Sequence, residues 1–226
     1  ESMFLAIENP TIDRRLDRIE NLEKEWQKDW ETISINNRVH PAGKVAAALE
    51  SVVTISADDG HGSGCIIGSE GYIVTNQHVV SDPSLAYTVY FNDGSSTKAK
   101  ILRYHPVFDL ALLKVDTVGL RPFALDLTES INVGEEAYAM GTPYDIDLGA
   151  SVTKGIISGK RKDGERTLIQ TDVSISPGNS GGALINSEGT LIGVVNEKVL
   201  GLGVEGIGFA IPSYVMEKAL MIQFPR

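Results

Sequence analysis

The first forty residues carry a helical pattern of apolar positions. Between residues 12 and 33 the chain is rich in charged residues and lacks glycine, and apolar side chains recur every three or four positions: Ile12, Leu16, Ile19, Leu22, Trp26, Trp30 and Ile33. At ~100° per residue these side chains share one face, which is typical of an amphipathic helix. Such a stripe should be covered, either by its own chain or, the interpretation we favour, by a neighbouring subunit.

From about residue 45 the pattern changes to short runs rich in β-branched residues, separated by turn sequences such as Asn92-Asp93-Gly94. The runs are Ser51–Ile55, Gly64–Ile67, Tyr72–Thr75, Tyr87–Phe91, Lys98–Tyr104, Leu110–Val115, Glu136–Met140, Ser151–Ser158, Leu168–Thr171, Ala183–Asn186, Leu191–Val195 and Gly208–Ile211. Many short strands at this spacing favour antiparallel barrels or a sandwich. Residues 213–222 predict a closing helix. The pattern therefore predicts a helical extension over residues 1–40 and a β domain over residues 41–226.

Composition removes several classes of function. With 20 Lys and Arg against 30 Asp and Glu, the formal net charge is -10, so nucleic acid is not an expected partner. No apolar stretch reaches the ~18 residues that a membrane span requires, and no signal sequence is visible. The single cysteine, Cys65, cannot form an internal disulfide, and its apolar surroundings indicate a small buried strand residue.

The glycine-rich stretch Pro177–Gly182 contains a candidate nucleophile, Ser180. Glycines permit positive φ and close backbone approach, so two N–H groups can converge beside the serine oxygen, as an oxyanion hole requires. An ordinary hairpin turn is the competing interpretation. The stretch also matches the G-x-S-x-G nucleophile elbow, but an elbow needs a helix after the serine and a histidine later in the chain. Here a strand follows and all four histidines precede Ser180, which excludes that fold.

His78 is the histidine best placed to act as a base. It stands at the end of the strong strand run Tyr72–Thr75, whereas His40 and His105 precede prolines and His61 lies in a glycine-rich turn. A general base needs a rigid element.

Asp109 leads directly into the apolar run Leu110–Val115. A carboxylate buried there needs a partner, and a histidine N–H would serve while selecting the imidazole tautomer. A solvated turn aspartate is the alternative interpretation.

The order His78, Asp109, Ser180 is that of chymotrypsin-like enzymes. Five segments closely resemble the HtrA/Deg serine proteases, over roughly residues 45–222: Thr75–Val80, Asp109–Val115, Gln170–Asp172, Gly178–Leu184 and Gly206–Pro212. The resemblance implies an all-β fold of two antiparallel six-stranded barrels, over about residues 45–125 and 126–212. It places a catalytic triad in the cleft between them.

The resemblance also implies roles for individual residues. Ser180 is the nucleophile, His78 the general base and Asp109 the residue that orients His78. The N–H groups of Gly178 and Ser180, with Asn179 between them, form the oxyanion hole, and neither a metal nor another cofactor is implied. Substrate is expected as an extra antiparallel strand along Val195, Asn196, Glu197 and Lys198. Ser174, Ile175 and the Gly208–Ala210 backbone are expected to line the pocket for the residue before the cut. None of these is an acid at the pocket floor, so small aliphatic residues are expected there in preference to Lys or Arg.

The function implied is ATP-independent cleavage of unfolded or damaged polypeptides, as protein quality control in the periplasm or cell envelope. A homo-oligomer is implied, with a trimer favoured. Two alternatives remain: a chaperone-like binder of unfolded chains that rarely cuts, and a scaffold assembled through residues 12–33. The family usually carries a C-terminal PDZ domain, which these 226 residues do not include.

Overall fold

The computed structural model describes residues 30–37, 45–57, 60–142, 149–198 and 206–224. Two compact units divide the chain, Glu1–Thr32 and Ile33–Arg226. The predicted N-terminal helix lies almost entirely outside the described residues, and its last position, Ile33, belongs to a strand of the second unit. No helix among the described residues is long and apolar enough to cross a membrane.

The second unit is built mainly from strands. In chain order these are β1 (Ile33–Ser34), β2 (Val52–Ala57), β3 (Gly60–Gly68), β4 (Tyr72–Thr75), β5 (Thr88–Tyr90), β6 (Ser96–His105), β7 (Leu110–Val115), β8 (Glu136–Gly141), β9 (Ser151–Asp163), β10 (Arg166–Thr171), β11 (Ala183–Ile185), β12 (Leu191–Lys198), β13 (Gly208–Pro212) and β14 (Ile222–Gln223). Two short helices, α1 (Val45–Ala48) and α2 (Val215–Leu220), and two 3-10 turns, Leu49–Ser51 and Gln77–Val80, accompany them.

Twelve of these strands close into two barrels. The first has the strand order β2-β3-β4-β7-β6-β5 and the second the order β10-β13-β12-β11-β8-β9. Neighbouring strands within each barrel are antiparallel. The prediction of two six-stranded antiparallel barrels is confirmed.

The central strands are apolar on both faces, which explains their nearly continuous hydrophobic sequences. Successive side chains of a strand point to opposite sides. In β7, Ala111 and Leu113 therefore pack inside the first barrel, while Leu110 and Leu112 join a cluster that contains residues of both barrels. Burial of both faces thus joins the two barrels.

The closing helix is shorter than the predicted 213–222. It ends at Leu220 because Met221 adopts a left-handed conformation, with φ of 49°. Arg103 of the first barrel donates through Nη1 to the carbonyls of Leu220 and Met221, at 3.1 and 2.7 Å. The helix end is followed by β14, which pairs in parallel with β1.

Candidate active site

The pairing of β4 with β7 brings His78 and Asp109 together. Thr75 at the end of β4 lies opposite Ala111 near the start of β7, so the residues after Thr75 and before Leu110 meet at one edge of the first barrel. The structure places His78 in the 3-10 turn Gln77–Val80 that follows β4. Asp109 directly precedes β7.

The Asp109 carboxylate contacts His78 at two points. Its Oδ2 lies 2.7 Å from Nδ1 of the imidazole, and its Oδ1 accepts the His78 backbone N–H at 2.9 Å. The Asp109 side chain is 15 % exposed and that of His78 is 48 % exposed. Since Nδ1 carries the proton that it donates to the carboxylate, Nε2 of the neutral ring is left as a proton acceptor.

The backbone of Asp109 is also held in place. Its φ is 51°, in the left-handed region that Asp and Asn tolerate better than other side chains. Its carbonyl accepts the Gln77 N–H at 3.1 Å and the Asn76 Nδ2–H at 3.0 Å. Asp109 is therefore held by hydrogen bonds at the β4–β7 junction and is not a solvated turn residue.

Two consecutive β-turns that share Asn179 carry Ser180. The first turn, Ser176–Asn179, is closed by the Asn179 N–H to Ser176 O at 3.0 Å. The second, Asn179–Gly182, is closed by the Gly182 N–H to Asn179 O at 2.9 Å. The third position of each turn is a glycine with positive φ, Gly178 at 94° and Gly181 at 83°, as type II turns require. The sequence Pro-Gly-Asn-Ser-Gly-Gly thus specifies this turn pair.

The amides of Gly178 and Ser180 are the predicted oxyanion-hole donors. The N–H groups of Gly178 and Ser180 have no acceptor among the described residues. The N–H of Asn179 closes the first turn and is not available as a donor, so Asn179 contributes by linking the two amides. The Ser180 hydroxyl donates to Asn196 O at 2.8 Å.

The Ser180 turn packs against the same end of β4 that leads to His78. A Cβ on Gly181 would stand 2.2 Å from both Ser63 O and Thr75 Oγ1. A Cβ on Gly62 would stand 2.7 Å from the Val79 side chain and 3.2 Å from Ser180 O. Glycine at these positions therefore allows the second barrel to bring Ser180 beside the His78 turn.

Cys65 lies beneath this turn, as a fully buried residue of β3. Its Sγ donates to Gly181 O at 3.5 Å. Burial raises the pKa of the Cys65 thiol because the thiolate would lose its hydration. The thiol therefore stays protonated, which agrees with the prediction of a small buried strand residue.

The structure fixes the backbone of one predicted substrate contact, Val195. The main chain of Val195 is already used, because its carbonyl accepts the Gly181 N–H and its N–H donates to Gly182 O, both at 2.8 Å. The β11–β12 ladder covers the chain up to this point, where Ala183 pairs with Val194. Among the described residues of β12, Asn196–Lys198 have no strand partner on the side away from β13.

The structure places Ile175 next to β13. Ile175 is buried, and its Cδ1 would stand 2.4 Å from a Cβ on Gly208. Ser174 is exposed, and its carbonyl accepts the Thr153 hydroxyl at 2.8 Å. An apolar side chain therefore limits the space above Gly208.

A buried histidine supports the turn that presents Asp109. His105 ends β6 and is 5 % exposed, and its Nδ1 accepts the Phe108 N–H at 3.3 Å. Burial lowers the pKa of His105 from 6.5, because the charged ring would be desolvated, and Lys218 lowers it further. As the pH falls, His105 therefore becomes protonated at a higher pH in the unfolded chain than in the folded chain.

We expect the free energy of unfolding to decrease as the pH falls from about 6.5 towards the lowered pKa of His105. His105→Asn keeps an acceptor near the Nδ1 position but cannot titrate, so its decrease should be smaller. Urea unfolding at about pH 7.5 and about pH 5.5 measures both proteins. An equal decrease in the two proteins would contradict the assignment to His105.

No group of three or more His, Cys, Asp and Glu side chains in the described ranges is arranged to hold a metal ion.

Comparisons with known proteins agree with this geometry. The model of the trypsin-like peptidase domain matches residues 62–194, a range that includes His78, Asp109 and Ser180. A probable periplasmic serine endoprotease, DegP-like, from Pseudomonas putida is 44 % identical over 157 residues, which are 67 % of this chain and 32 % of the relative. A DegP-like relative from Chlamydia muridarum is 39 % identical over 165 residues, covering 70 % of this chain and 33 % of the relative.

Solved structures show the same similarity. The serine endoprotease from Yersinia pestis has a TM-score of 0.69 at 36 % identity. The match covers 78 % of this chain and 63 % of the Yersinia pestis chain. The HtrA-type protease AlgW with a tripeptide has a TM-score of 0.69 at 35 % identity, with coverage of 78 % and 60 %. The chain spans about a third of the length of the curated relatives it matches. The resemblance seen in the sequence motifs is confirmed.

Proposed function

Because the chain belongs to the trypsin-like peptidase family, we propose that it is a serine endopeptidase whose nucleophile is Ser180. The double contact between Asp109 and His78 carries this proposal. It holds the imidazole in the tautomer whose Nε2 can accept a proton, which is the state a general base must have.

The reaction follows from the positions of these groups. A hydroxyl has one proton, and in this geometry it is directed to Asn196 O. The Ser180 side chain must rotate so that Nε2 of His78 accepts the proton while Oγ attacks the peptide carbonyl. Asp109 stabilises the imidazolium that forms, and His78 then returns the proton to the leaving amine. In the deacylation step a water molecule attacks the acyl-enzyme, and His78 accepts the proton of the water and returns it to Ser180 Oγ.

The amides of Gly178 and Ser180 are the proposed donors to the oxyanion. Both lack an acceptor among the described residues, so no existing bond has to break when the tetrahedral intermediate forms. Preorganised donors of this kind supply a large part of the rate enhancement in acyl transfer.

The proposed substrate is an extended, unfolded polypeptide. The edge Asn196–Lys198 of β12 can accept an added strand, a binding mode in which main-chain hydrogen bonds dominate. The relatives named DegP-like are described as periplasmic, which supports a role in the periplasm or cell envelope. Protein quality control and assembly into a homotrimer stay predictions from the family resemblance. No observation on the described residues favours the chaperone-like alternative over proteolysis.

The test is digestion of a permanently unfolded protein such as reduced, alkylated casein, with the products identified by mass spectrometry. The wild type should generate internal cleavage products and Ser180→Ala should generate none. A fluorophosphonate probe should modify the wild type on Ser180 alone. Intact substrate together with absent labelling would exclude the proposed function.

The pocket wall predicts the preference for the residue before the cut. With Ile175 above Gly208, small aliphatic residues should be favoured, and Ile175→Ala should shift cleavage towards larger apolar residues such as Leu and Phe. Ile169→Ala is the matched control, since Ile169 is fully buried in the same cluster and its Cδ1 would stand 3.1 Å from a Cβ on Gly193, whereas Ile175 faces Gly208. Product sets from a peptide library measure the preference. Cuts mainly after Lys or Arg in the wild type, or the same shift in both variants, would refute this assignment.

A further inference from the structure

A buried serine of the first barrel, Ser63, is hydrogen-bonded to the Ser180 turn of the second barrel. Ser63 lies in β3 and is fully buried. Its hydroxyl donates to Gly178 O at 2.7 Å, and its N–H donates to Ser180 O at 2.8 Å. The sequence gives no sign of this role, because these partners lie more than a hundred positions further along the chain.

The two bonds act on the peptide groups around the Ser180 N–H. A peptide group is planar, so a plane that is held at its carbonyl and at its N–H cannot rotate. The plane from Gly178 to Asn179 is held by Ser63 at its oxygen and by Ser176 O at its N–H. The plane from Ser180 to Gly181 is held by Ser63 at its oxygen and by Val195 O at its N–H.

The plane between these two carries the Ser180 N–H. Its neighbours on both sides are fixed through Ser63, so the N–H has a defined direction before substrate arrives. The same bonds fix the Cα of Ser180, from which the nucleophilic oxygen projects.

Ser63 is itself tied to the His78 side of the site. Its carbonyl accepts the Thr75 hydroxyl at 2.6 Å, and Thr75 ends the strand that leads to His78. Its Oγ accepts the Thr142 N–H at 2.9 Å, which leaves the single hydroxyl proton for Gly178 O. Thr142 in turn shares a hydrogen bond with Thr54 of the first barrel, with 2.6 Å between their Oγ1 atoms.

We propose that Ser63 is a positioning residue, which sets the amide and hydroxyl of Ser180 against His78 across the cleft. This inference rests on the proposed function. The first barrel then supplies more than the base and the aspartate. The geometry of the oxyanion donors on the second barrel depends on a hydroxyl group of the first barrel, that of Ser63.

The test compares Ser63→Ala with the wild type on a fluorogenic peptide. Loss of a whole oxyanion donor lowers kcat by about 10²- to 10³-fold, and Ser63 acts only through the turn, so we expect kcat to fall about 10- to 100-fold. KM should change little, because the lost interaction matters in the transition state. The rate of Ser180 labelling by a fluorophosphonate should fall in parallel with kcat.

Ser213→Ala is the matched control. Ser213 is also fully buried and its hydroxyl also donates to a backbone carbonyl, that of Asp126, at the entrance to α2. This variant should lose comparable stability in a thermal melt and keep the wild-type kcat. If Ser63→Ala does not fold, Ser63→Cys replaces the hydroxyl by a weaker donor and should show an intermediate kcat.

Wild-type kcat in a folded Ser63 variant would overturn the inference and leave the proposed function standing. An equal loss of kcat in the Ser213 variant would assign the effect to stability and also overturn it. Absence of cleavage by the wild type would instead overturn the proposed function, and the inference with it.

Discussion

Replacing Ser180 with alanine should lower kcat for peptide hydrolysis by about 10⁶-fold, to the residual rate that binding and the oxyanion donors alone provide. The variant should fold normally, since within the described part of the chain the Ser180 side chain makes one hydrogen bond, to Asn196 O, and the turn is closed by backbone groups. Kinetics on a fluorogenic peptide measure the loss, and the thermal midpoint checks the fold.

His78→Ala should lose about as much activity as Ser180→Ala, and the double variant should lose little more, because nucleophile and base act as a unit. Ser187→Ala, in the exposed turn between β11 and β12, is the control and should keep full activity. Wild-type rates in the Ser180 variant would show that another group is the nucleophile. Additive losses in the double variant would show that His78 does not act through Ser180.

Asp109→Asn should lower kcat by about 10⁴-fold while the fold stays intact. The amide oxygen can still accept the His78 backbone N–H, now made by Oδ1 at 2.9 Å. The amide NH₂ then faces Nδ1 of the ring and forces Nδ1 to become the acceptor. The proton moves to Nε2, which can no longer take the proton of Ser180.

Asparagine is the suitable replacement because of the backbone at this position. Asn tolerates the left-handed φ of 51° as Asp does. Asp109→Ala should lose similar activity and additionally about 1–3 kcal/mol of stability through backbone strain. Chemical unfolding separates the two variants.

Asp93→Asn is the control for the loss of a charge. Asp93 is exposed and accepts the N–H and hydroxyl of Ser95, at 2.8 and 2.6 Å, so its replacement changes the same chemical group away from the site. Full activity is expected there. An Asp109→Asn protein with the wild-type kcat would remove Asp109 from the mechanism.

Local pattern was sufficient for much of the fold. The runs Tyr72–Thr75 and Leu110–Val115 coincide with β4 and β7, because each is a short, mostly apolar run next to turn residues, which is typical of a buried strand. The glycines at positions 178 and 181 indicated the conformation of the Ser180 turn, since type II turns need positive φ at their third residue. These features depend on neighbours in sequence, so they can be read from sequence.

The order and surrounding motifs of His78, Asp109 and Ser180 also predicted from sequence the three groups that we propose as catalytic. The sequence could not show that Asp109 holds both the ring and the backbone N–H of His78, because that geometry depends on the β4–β7 register. The left-handed backbone of Asp109 arises at the same junction.

Tertiary packing decided the rest. The sequence predicted a substrate contact at Val195, and only the closed second barrel shows that both backbone groups of Val195 are bonded to Gly181 and Gly182. Ser63 lies between glycines in an ordinary strand, and only the approach of the two barrels places its hydroxyl 2.7 Å from Gly178 O. Helix α2 ends early because Arg103 and Met221 meet at its end. Contacts between residues a hundred positions apart depend on how two complete barrels dock. The pattern of apolar and polar residues reports only on neighbours in sequence, so it does not determine which distant residues come into contact.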